Sequence, residues 1–174
     1  MLERIEKIGS GSFGAVYRGI YRNSVEVAYK VISRNQLSDS AQVEANILKT
    51  LRHPNIVEYI DLIHTANHTM VVMEYIDAGN LFNYIITMPR TLAYWRETRD
   101  NMIDVAFALS YLHEKKVIHG DLKSDNILLR TNGTAVLSDF GLSTLINNSE
   151  IHNRKQHRGM KTLNIYESNR FFFF

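Results

Sequence analysis

Residues 119–126 read His-Gly-Asp-Leu-Lys-Ser-Asp-Asn, and residues 139–141 read Asp-Phe-Gly. These two stretches hold an acid, a lysine, an amide and a second acid at fixed offsets from one another. Carboxylate and amide oxygens are ligands that Mg²⁺ prefers, and a positioned carboxylate is able to accept a proton. A lone His-x-Asp triplet often arises by accident, but the whole set at these offsets predicts a catalytic centre.

A glycine-rich stretch lies near the N-terminus, where residues 9–16 read Gly-Ser-Gly-Ser-Phe-Gly-Ala-Val. Its three glycines permit a tight turn and a close approach of backbone N–H groups to phosphate oxygens. Dinucleotide-binding folds use the same spacing, but they need a helix directly after the loop. Both flanks here have strand patterns instead. Taken alone, the stretch is also compatible with an ordinary glycine-rich hairpin.

Two charged residues fall within apolar patterns. Lys30 ends the stretch Val27-Ala28-Tyr29-Lys30 of a strand pattern, and Glu44 begins the apolar stripe of a helix pattern. An ammonium and a carboxylate that both face the interior are expected to pair, because breaking one buried pair costs about 3–5 kcal/mol. The alternative is a lysine on an edge strand and a solvated glutamate.

With these four motifs in this order, the chain resembles the eukaryotic protein kinase family up to about residue 145. The resemblance implies an α+β, two-lobed protein-kinase-like fold with a β-rich N-lobe and a partial helical C-lobe. It implies an ATP-dependent protein serine/threonine kinase, since lysine at position 123 is typical of that class. The implied cofactors are ATP and Mg²⁺, and the implied partner is a protein substrate bearing Ser or Thr.

The resemblance assigns the chemical roles residue by residue. Asp121 orients the substrate hydroxyl and accepts its proton, and Lys123 neutralises the transferring phosphate. Asn126 and Asp139 supply oxygen ligands for Mg²⁺.

Nucleotide binding is implied for a second group of residues. Lys30 binds the α- and β-phosphates of ATP, and Glu44 holds that lysine in place. Met73 is the gatekeeper beside the pocket, although residues 73–76 are also compatible with a plain buried strand end. The other implied contacts are the loop residues Ile8, Gly9, Ser10, Gly11, Ser12, Phe13, Gly14 and Ala15, the adenine-sandwiching Val16 and Ala28, and the backbone groups of Glu74 and Ile76.

Gly120 stands where most members of that family have arginine. That arginine normally pairs with a phosphorylated residue of the activation loop, and glycine has no side chain for such a pair. We therefore expect that phosphorylation of the loop does not gate activity through this position. The hydroxyl groups considered for such phosphorylation are those of Ser143, Thr144, Ser149 and Thr162.

Hydrophobic periodicity divides the chain into a strand-rich part and a helical part. Strand patterns cover 3–8, 15–20, 25–32, 56–63 and 70–75, and short apolar segments lie at 117–118, 127–129 and 135–137. Ser38-Asp39-Ser40 offer N-cap oxygens to a helix that stops before His53. Further helices are predicted over 81–87 and about 92–114.

One incomplete kinase domain is therefore predicted over residues 1–174. It comprises an N-lobe over 1–74, a hinge over 74–79, a partial C-lobe over 80–145 and an activation-segment-like or aberrant tail over 146–174. In that tail Glu167-Ser168-Asn169 replaces the family's Ala-Pro-Glu. Leu48, Tyr59, His119 and Phe140 match the family's stacked regulatory spine. The alternative function is an inactive truncated fragment that acts as a nucleotide-binding or protein-interaction module, and a dinucleotide-dependent enzyme is a distant third.

Composition limits the class of protein. With 45% hydrophobic and 22% charged residues, the chain is typical of soluble globular proteins. A net charge of +2 is too small for a nucleic-acid footprint, so no nucleic-acid partner is expected. The sequence has no cysteine, which excludes disulfides and thiolate metal sites. We expect no membrane span and no signal peptide, and hence a cytoplasmic or nuclear location; the oligomeric state stays open.

Overall fold

A computed structural model gives the fold and describes residues 2–11, 14–33 and 38–146. Its first part is a five-stranded antiparallel sheet with the spatial order β1-β2-β3-β5-β4. The strands are β1 (Leu2–Gly11), β2 (Gly14–Tyr21), β3 (Val25–Ser33), β4 (Tyr59–His64) and β5 (His68–Glu74), and helix α1 (Ser38–Thr50) follows β3. We call residues 2–74 the sheet part.

The second part, residues 80–146, is mainly helical, and we call it the helical part. It contains helices α2 (Leu81–Thr87) and α3 (Leu92–Glu114), and four short strands that form two pairs. Strand β6 (Val117–Ile118) pairs with β9 (Thr144–Leu145), and β7 (Ile127–Leu129) pairs with β8 (Ala135–Leu137). A single 3₁₀ turn covers Ser124–Asn126 between β6 and β7. This arrangement is the partial kinase fold that the sequence predicts.

Alternation along β3 decides which side chains reach the site. Ala28 and Ile32 belong to the main core, which also contains Leu48 of α1. Val27 and Tyr29 belong to a separate cluster, because successive side chains of a strand point to opposite faces. Lys30 therefore lies on the same face of the strand as Ala28 and Ile32, towards α1.

Two helices begin where short polar side chains cap them. The side chain of Asn80 accepts a hydrogen bond from the backbone N–H of Asn83, and that of Thr91 accepts one from Tyr94. Such caps satisfy N–H groups that have no partner inside the helix. The predicted starts of α2 and α3 are therefore confirmed.

Strands β1, β2 and β5 begin one or two residues before their predicted starts, and the starts of α1 and β4 are wrong for identifiable reasons. Helix α1 begins at Ser38, so residues 38–40 form its first turn instead of preceding it. Serine and aspartate are tolerated there, since the first N–H groups need no acceptor within the helix. Strand β4 begins at Tyr59 and not at residue 56, because Ile56 bridges to Leu137 and Val57 donates its N–H to the carbonyl of Leu137. Their apolar side chains are buried next to β8 instead of continuing β4.

The predictions for residues 12, 13 and 147–174 lie outside the described residues. Among the helices within the described ranges, none has the length and apolar character that crossing a membrane requires.

Candidate active site

Lys30 lies between two carboxylates at the junction of the sheet part and the helical part. Its Nζ is 3.0 Å from Oε2 of Glu44 and 2.7 Å from Oδ1 of Asp139. Lys30 is 4% exposed and Glu44 is 1% exposed. The pair expected from the sequence is therefore present and buried, and it extends to Asp139 of the Asp-Phe-Gly motif.

The pKa values of Lys30, Glu44 and Asp139 are set by burial and by the charges that the three side chains exert on one another. Burial by itself lowers the pKa of Lys30, but the charges of Glu44 and Asp139 outweigh it, and the pKa is raised. Burial raises the pKa of Asp139, but the ammonium of Lys30 reverses the effect, and the pKa is lowered. Burial raises the pKa of Glu44, against the opposing charge of Lys30. Asp139 is thus an ionised carboxylate at neutral pH, as a cation ligand must be.

Asp139 is held in an unusual backbone conformation. Its φ is +59°, in the left-handed region, which costs about 1–3 kcal/mol for a residue with a side chain. Phe140, the next residue, is 1% exposed, and its ring lies edge-on to His119 at 4.8 Å. Phe140 also shares the main core with Leu48 and Tyr59. The buried phenyl ring anchors the strained peptide that presents the carboxylate.

Asp121 receives two side-chain hydrogen bonds from its own loop. Lys123 Nζ donates to its Oδ2 at 2.7 Å, and Asn126 Nδ2 donates to the same oxygen at 3.0 Å. Asn126 Nδ2 also reaches the backbone carbonyl of Asp121 at 2.8 Å. The loop is fixed in turn by Ser138, whose N–H donates to the carbonyl of Asn126 at 2.8 Å. Residues 121, 123 and 126, which the sequence singled out, thus meet around one carboxylate.

Asn126 and Asp139 provide an amide and a carboxylate for a cation. The amide nitrogen of Asn126 is used by Asp121, which leaves its Oδ1 for a metal. Within the described ranges, no group of three or more His, Cys, Asp or Glu side chains could hold a metal ion. Magnesium is usually bound by one or two carboxylates together with substrate phosphates and water. A set of two oxygen donors therefore fits Mg²⁺ better than metals that need a cage of protein ligands.

His119 is a neutral imidazole whose two nitrogens have different partners. Nε2 lies 2.9 Å from the carbonyl of Ser138, and the N–H of Asp121 lies 3.3 Å from Nδ1. Both hydrogen bonds form when Nε2 carries the proton and Nδ1 accepts. Burial lowers the pKa of His119. The family resemblance assigned this residue only a packing role, whereas the structure shows that it also binds the backbone of Asp121.

Acid is expected to destabilise the fold through His119. Its folded pKa lies below the ordinary value of 6.5, so as the pH falls the unfolded chain takes up the proton first. The free energy of unfolding is therefore expected to fall with pH below that value. Replacement His119→Gln should remove this contribution, whereas His113→Gln, at an exposed helical position, should keep it. Urea unfolding of the three proteins across this range measures the difference, and parallel curves for wild type and His119→Gln would contradict it.

The glycine-rich loop is a hairpin between β1 and β2. Gly9 is in register with Val16, and Ser10 with Ala15. Gly14 has a φ of +144°, and a Cβ there would lie 2.1 Å from the carbonyl oxygen of Val31. A strand follows the loop, which is not the arrangement of a dinucleotide-binding fold.

The linker between the two parts, residues 74–79, is held by hydrogen bonds to the side chains of Glu74 and Asp77. The carboxylate of Glu74 accepts hydrogen bonds from the N–H of Glu58 at 2.9 Å and from Arg130 Nη2 at 2.6 Å. Asp77 accepts from the N–H and the hydroxyl of Thr131, both at 3.1 Å. Sequence reasoning missed Arg130 and Thr131, which carry no local signal because their partners lie more than 50 positions away. Met73 and Ile76 are buried, at 8% and 6% exposed.

The hydroxyl groups considered for phosphorylation differ in accessibility. Ser143 is 4% exposed, and its Oγ donates to the carbonyl of His119 at 2.9 Å. Its hydroxyl is therefore part of the interior and not a free acceptor of phosphate. Thr144 is exposed in β9. Ser149 and Thr162 lie outside the described residues.

Comparison with known proteins agrees with this geometry. Residues 2–164 match the protein kinase domain family. The chain is 37% identical over 150 residues to the probable LRR receptor-like serine/threonine-protein kinase RPK1 of Arabidopsis thaliana, covering 83% of this chain and 28% of that protein. It is 32% identical over 151 residues to the serine/threonine-protein kinase Nek1 of Mus musculus, covering 84% and 13% respectively.

A further relative is the SNF1-like protein kinase ssp2 of Schizosaccharomyces pombe, 37% identical over 147 residues, or 81% of this chain and 25% of the relative. The chain thus spans between 13% and 28% of the length of these three relatives. The family match covers all the described residues, and the named relatives are serine/threonine kinases. The chain therefore belongs to the protein kinase domain family, of serine/threonine type.

Proposed function

We propose that this domain transfers the γ-phosphate of ATP to a serine or threonine hydroxyl of a protein substrate. The observation that carries the proposal is the contact between Lys30 Nζ and Asp139 at 2.7 Å, which joins residues 109 positions apart in sequence. In the neighbouring loop, Asn126 Nδ2 lies 3.0 Å from Asp121. An ammonium, a cation-binding pair and a proton acceptor are the groups that phosphoryl transfer needs.

Asp121 is the proposed base. The substrate oxygen attacks the γ-phosphorus, the bond from that phosphorus to the β,γ-bridging oxygen breaks, and ADP leaves. The proton of the hydroxyl passes to Asp121. Lys123 and Asn126 orient the carboxylate through Oδ2, and Lys123 also places a positive charge beside the transferring group.

Lys30, Asn126 and Asp139 are proposed to hold the triphosphate. Lys30 offers a charged ammonium to the α- and β-phosphates, and Glu44 keeps it in position through the buried ion pair. Bound Mg²⁺ supplies charge neutralisation on the phosphates, and Asn126 and Asp139 are its proposed protein ligands. Because Lys30 and Asp139 are in direct contact, the lysine also sets the orientation of the metal-binding carboxylate.

The rest of the nucleotide is proposed to lie under the glycine-rich loop and against the linker. The loop contributes residues 8–16, the sheet contributes Ala28, and the linker contributes backbone groups of Glu74 and Ile76. Close contact with the phosphates is favoured by the glycine hairpin, since glycine lets backbone N–H groups approach an anion.

A transfer assay with radiolabelled ATP tests this function. Purified protein is incubated with Mg²⁺ and a panel of acidic and basic protein substrates, and label is expected on serine or threonine. Asp139→Ala should abolish labelling, whereas Asp100→Ala, an exposed carboxylate of α3, should not. Labelling that survives Asp139→Ala would reject the site. Stabilisation by Mg-ATP without any transfer would instead support a nucleotide-binding module.

A further inference from the structure

Arg18 of β2 pairs with a carboxylate on each of the two neighbouring strands. Its Nη1 donates to Oε1 of Glu6 in β1 at 3.1 Å, and its Nε donates to Oε1 of Glu26 in β3 at 2.6 Å. The Arg18 side chain is 32% exposed, and exposed ion pairs contribute little to stability. Because the guanidinium is a rigid planar fork, the two carboxylates instead fix the direction in which it points.

The guanidinium held in this way lies over an aromatic ring of the linker. Its Cζ is 4.8 Å from the centroid of the Tyr75 ring, within the distance of about 6 Å at which a cation is attracted to an aromatic face. The ring of Tyr75 is partly buried and packs against the main core. Arg18 therefore connects the second strand of the sheet to the middle of the linker.

This contact lies beside the proposed position of the adenine ring. Arg18 is in register with Ala28 of β3, so their side chains lie on the same face of the sheet. Val16 precedes Arg18 by two residues in β2 and shares that face. Val16 and Ala28 are the proposed adenine contacts from the sheet, and the linker residues on either side of Tyr75 are the proposed backbone contacts.

We propose that Arg18 is a positioning residue for the adenine end of the nucleotide site. By stacking on Tyr75 it holds β2 against the linker, so that Val16 keeps its distance from the linker backbone before the nucleotide arrives. A site that is already ordered loses less free energy when it binds. Arg18 acts through these neighbours and on no reacting atom. The inference rests on the proposed function, because it deepens the account of the same nucleotide site.

Replacement Arg18→Met tests the proposal, because it removes the guanidinium and keeps most of the aliphatic stem. Adenosine, which has no phosphate, reports on the adenine end alone, and its binding is measured by titration calorimetry. Its affinity is expected to fall about twofold to fivefold, since an exposed cation–π contact contributes about 0.5–1 kcal/mol. Binding of tripolyphosphate with Mg²⁺, which lacks the base, should not change.

Variants of Tyr75 show whether the two side chains act together. Tyr75→Leu should weaken adenosine binding by the same factor as Arg18→Met, whereas the conservative Tyr75→Phe keeps the ring and should restore the affinity. The double variant Arg18→Met with Tyr75→Leu should bind no more weakly than either single variant, because both remove one interaction. In the transfer assay, Arg18→Met should raise KM for ATP with little change in kcat, as expected when binding alone is lost.

Arg4 provides a matched control on the opposite face of the sheet. Its Cζ is 3.9 Å from the centroid of the Tyr17 ring, and Tyr17 packs against the separate cluster that contains Tyr29. Arg4→Met therefore removes a contact of the same kind from the same sheet, away from the linker. Its affinity for adenosine should equal that of wild type.

Equal adenosine affinities in Arg18→Met and Arg4→Met would overturn the inference. So would an equal loss of tripolyphosphate binding in Arg18→Met, which would indicate a general structural effect, or losses that add in the double variant. Failure of the proposed function is read separately, from a wild type that binds adenosine but transfers no phosphate, and the binding comparison still decides the inference. A wild type that does not bind adenosine would overturn both.

Discussion

Replacement of Asp121 by asparagine is expected to lower kcat by a factor of about 10²–10⁴, the usual contribution of a general base. Asparagine has the same shape and keeps an oxygen for the hydrogen bonds from Lys123 and Asn126. It is, however, a far weaker proton acceptor than a carboxylate. The loss should therefore fall on the chemical step and not on nucleotide affinity. Steady-state kinetics and ATP titration of the variant measure the two quantities separately.

A matched control lies four residues further along the same loop. Asp125 is exposed, and Asp125→Asn removes one negative charge by the same chemical change. Its kcat should equal that of wild type. If Asp121→Asn behaved like Asp125→Asn, the assignment of Asp121 as the proton acceptor would be wrong.

Replacement of Lys30 by methionine is expected to lower the free energy of unfolding by about 3–5 kcal/mol, the cost of breaking a buried ion pair. Methionine fills much of the space of the lysine side chain. It leaves the carboxylate of Glu44, which is 1% exposed, without its counter-ion. The free energy of unfolding of a typical domain is only about 5–15 kcal/mol, so the variant would lose a large part of its stability. Urea unfolding measures the change.

Two further variants distinguish the effect of leaving Glu44 unpaired from the effect of replacing a lysine by methionine. Lys7→Met, at an exposed position of β1, should change stability by no more than about 0.5 kcal/mol. The double variant Lys30→Met with Glu44→Leu should recover much of the loss, because replacing both partners of a buried pair is often tolerated. A double variant as unstable as Lys30→Met alone would show that the isolated carboxylate is not the cause.

The Lys30→Met variant should also show a distinct dependence on pH. Burial raises the pKa of Glu44, and Lys30 is the group that opposes this shift. Without Lys30 the folded state retains the proton to higher pH than the unfolded state does. Stability should therefore fall as the pH rises from the ordinary value of a glutamate to the raised value. This fall in stability with rising pH should be absent in the double variant, in which Glu44 is replaced by leucine.

The parts of the fold that follow from local patterns could be predicted from the sequence. Alternation in β3 places Lys30 on the inner face, and the helical period places Glu44 on the buried stripe of α1, so their pairing follows. The family resemblance extended this reasoning to the order of the motifs along the chain. The starts of α2 and α3 could likewise be read from the change in hydrophobic period, whereas their caps Asn80 and Thr91 were identified only in the structure.

Contacts between distant backbone segments could not be predicted in this way. Nothing near Gly120 in sequence shows that the carbonyl of Leu142 lies against it. The hydroxyl of Ser143 was a candidate for modification, and only its burial shows that it serves the interior. Strand β9 has two residues, too few for a periodic pattern. The start of β4 was misplaced because Ile56 and Val57 continue the apolar pattern of the strand. In the structure they contact β8 instead, which lies about 80 positions away in the sequence.

The hydrogen bonds of the linker, residues 74–79, bear on how the sheet part and the helical part could rotate relative to one another. The backbones of Ala78 and Gly79 are hydrogen-bonded to Leu129 at 3.0 and 2.9 Å, so this end of the linker travels with the helical part. Glu74 belongs to the last strand of the sheet. Because hinge motions are absorbed by a few residues, we expect any rotation of one part relative to the other to change the backbone angles of the few residues between these anchors and to break the bond between Glu74 and Arg130.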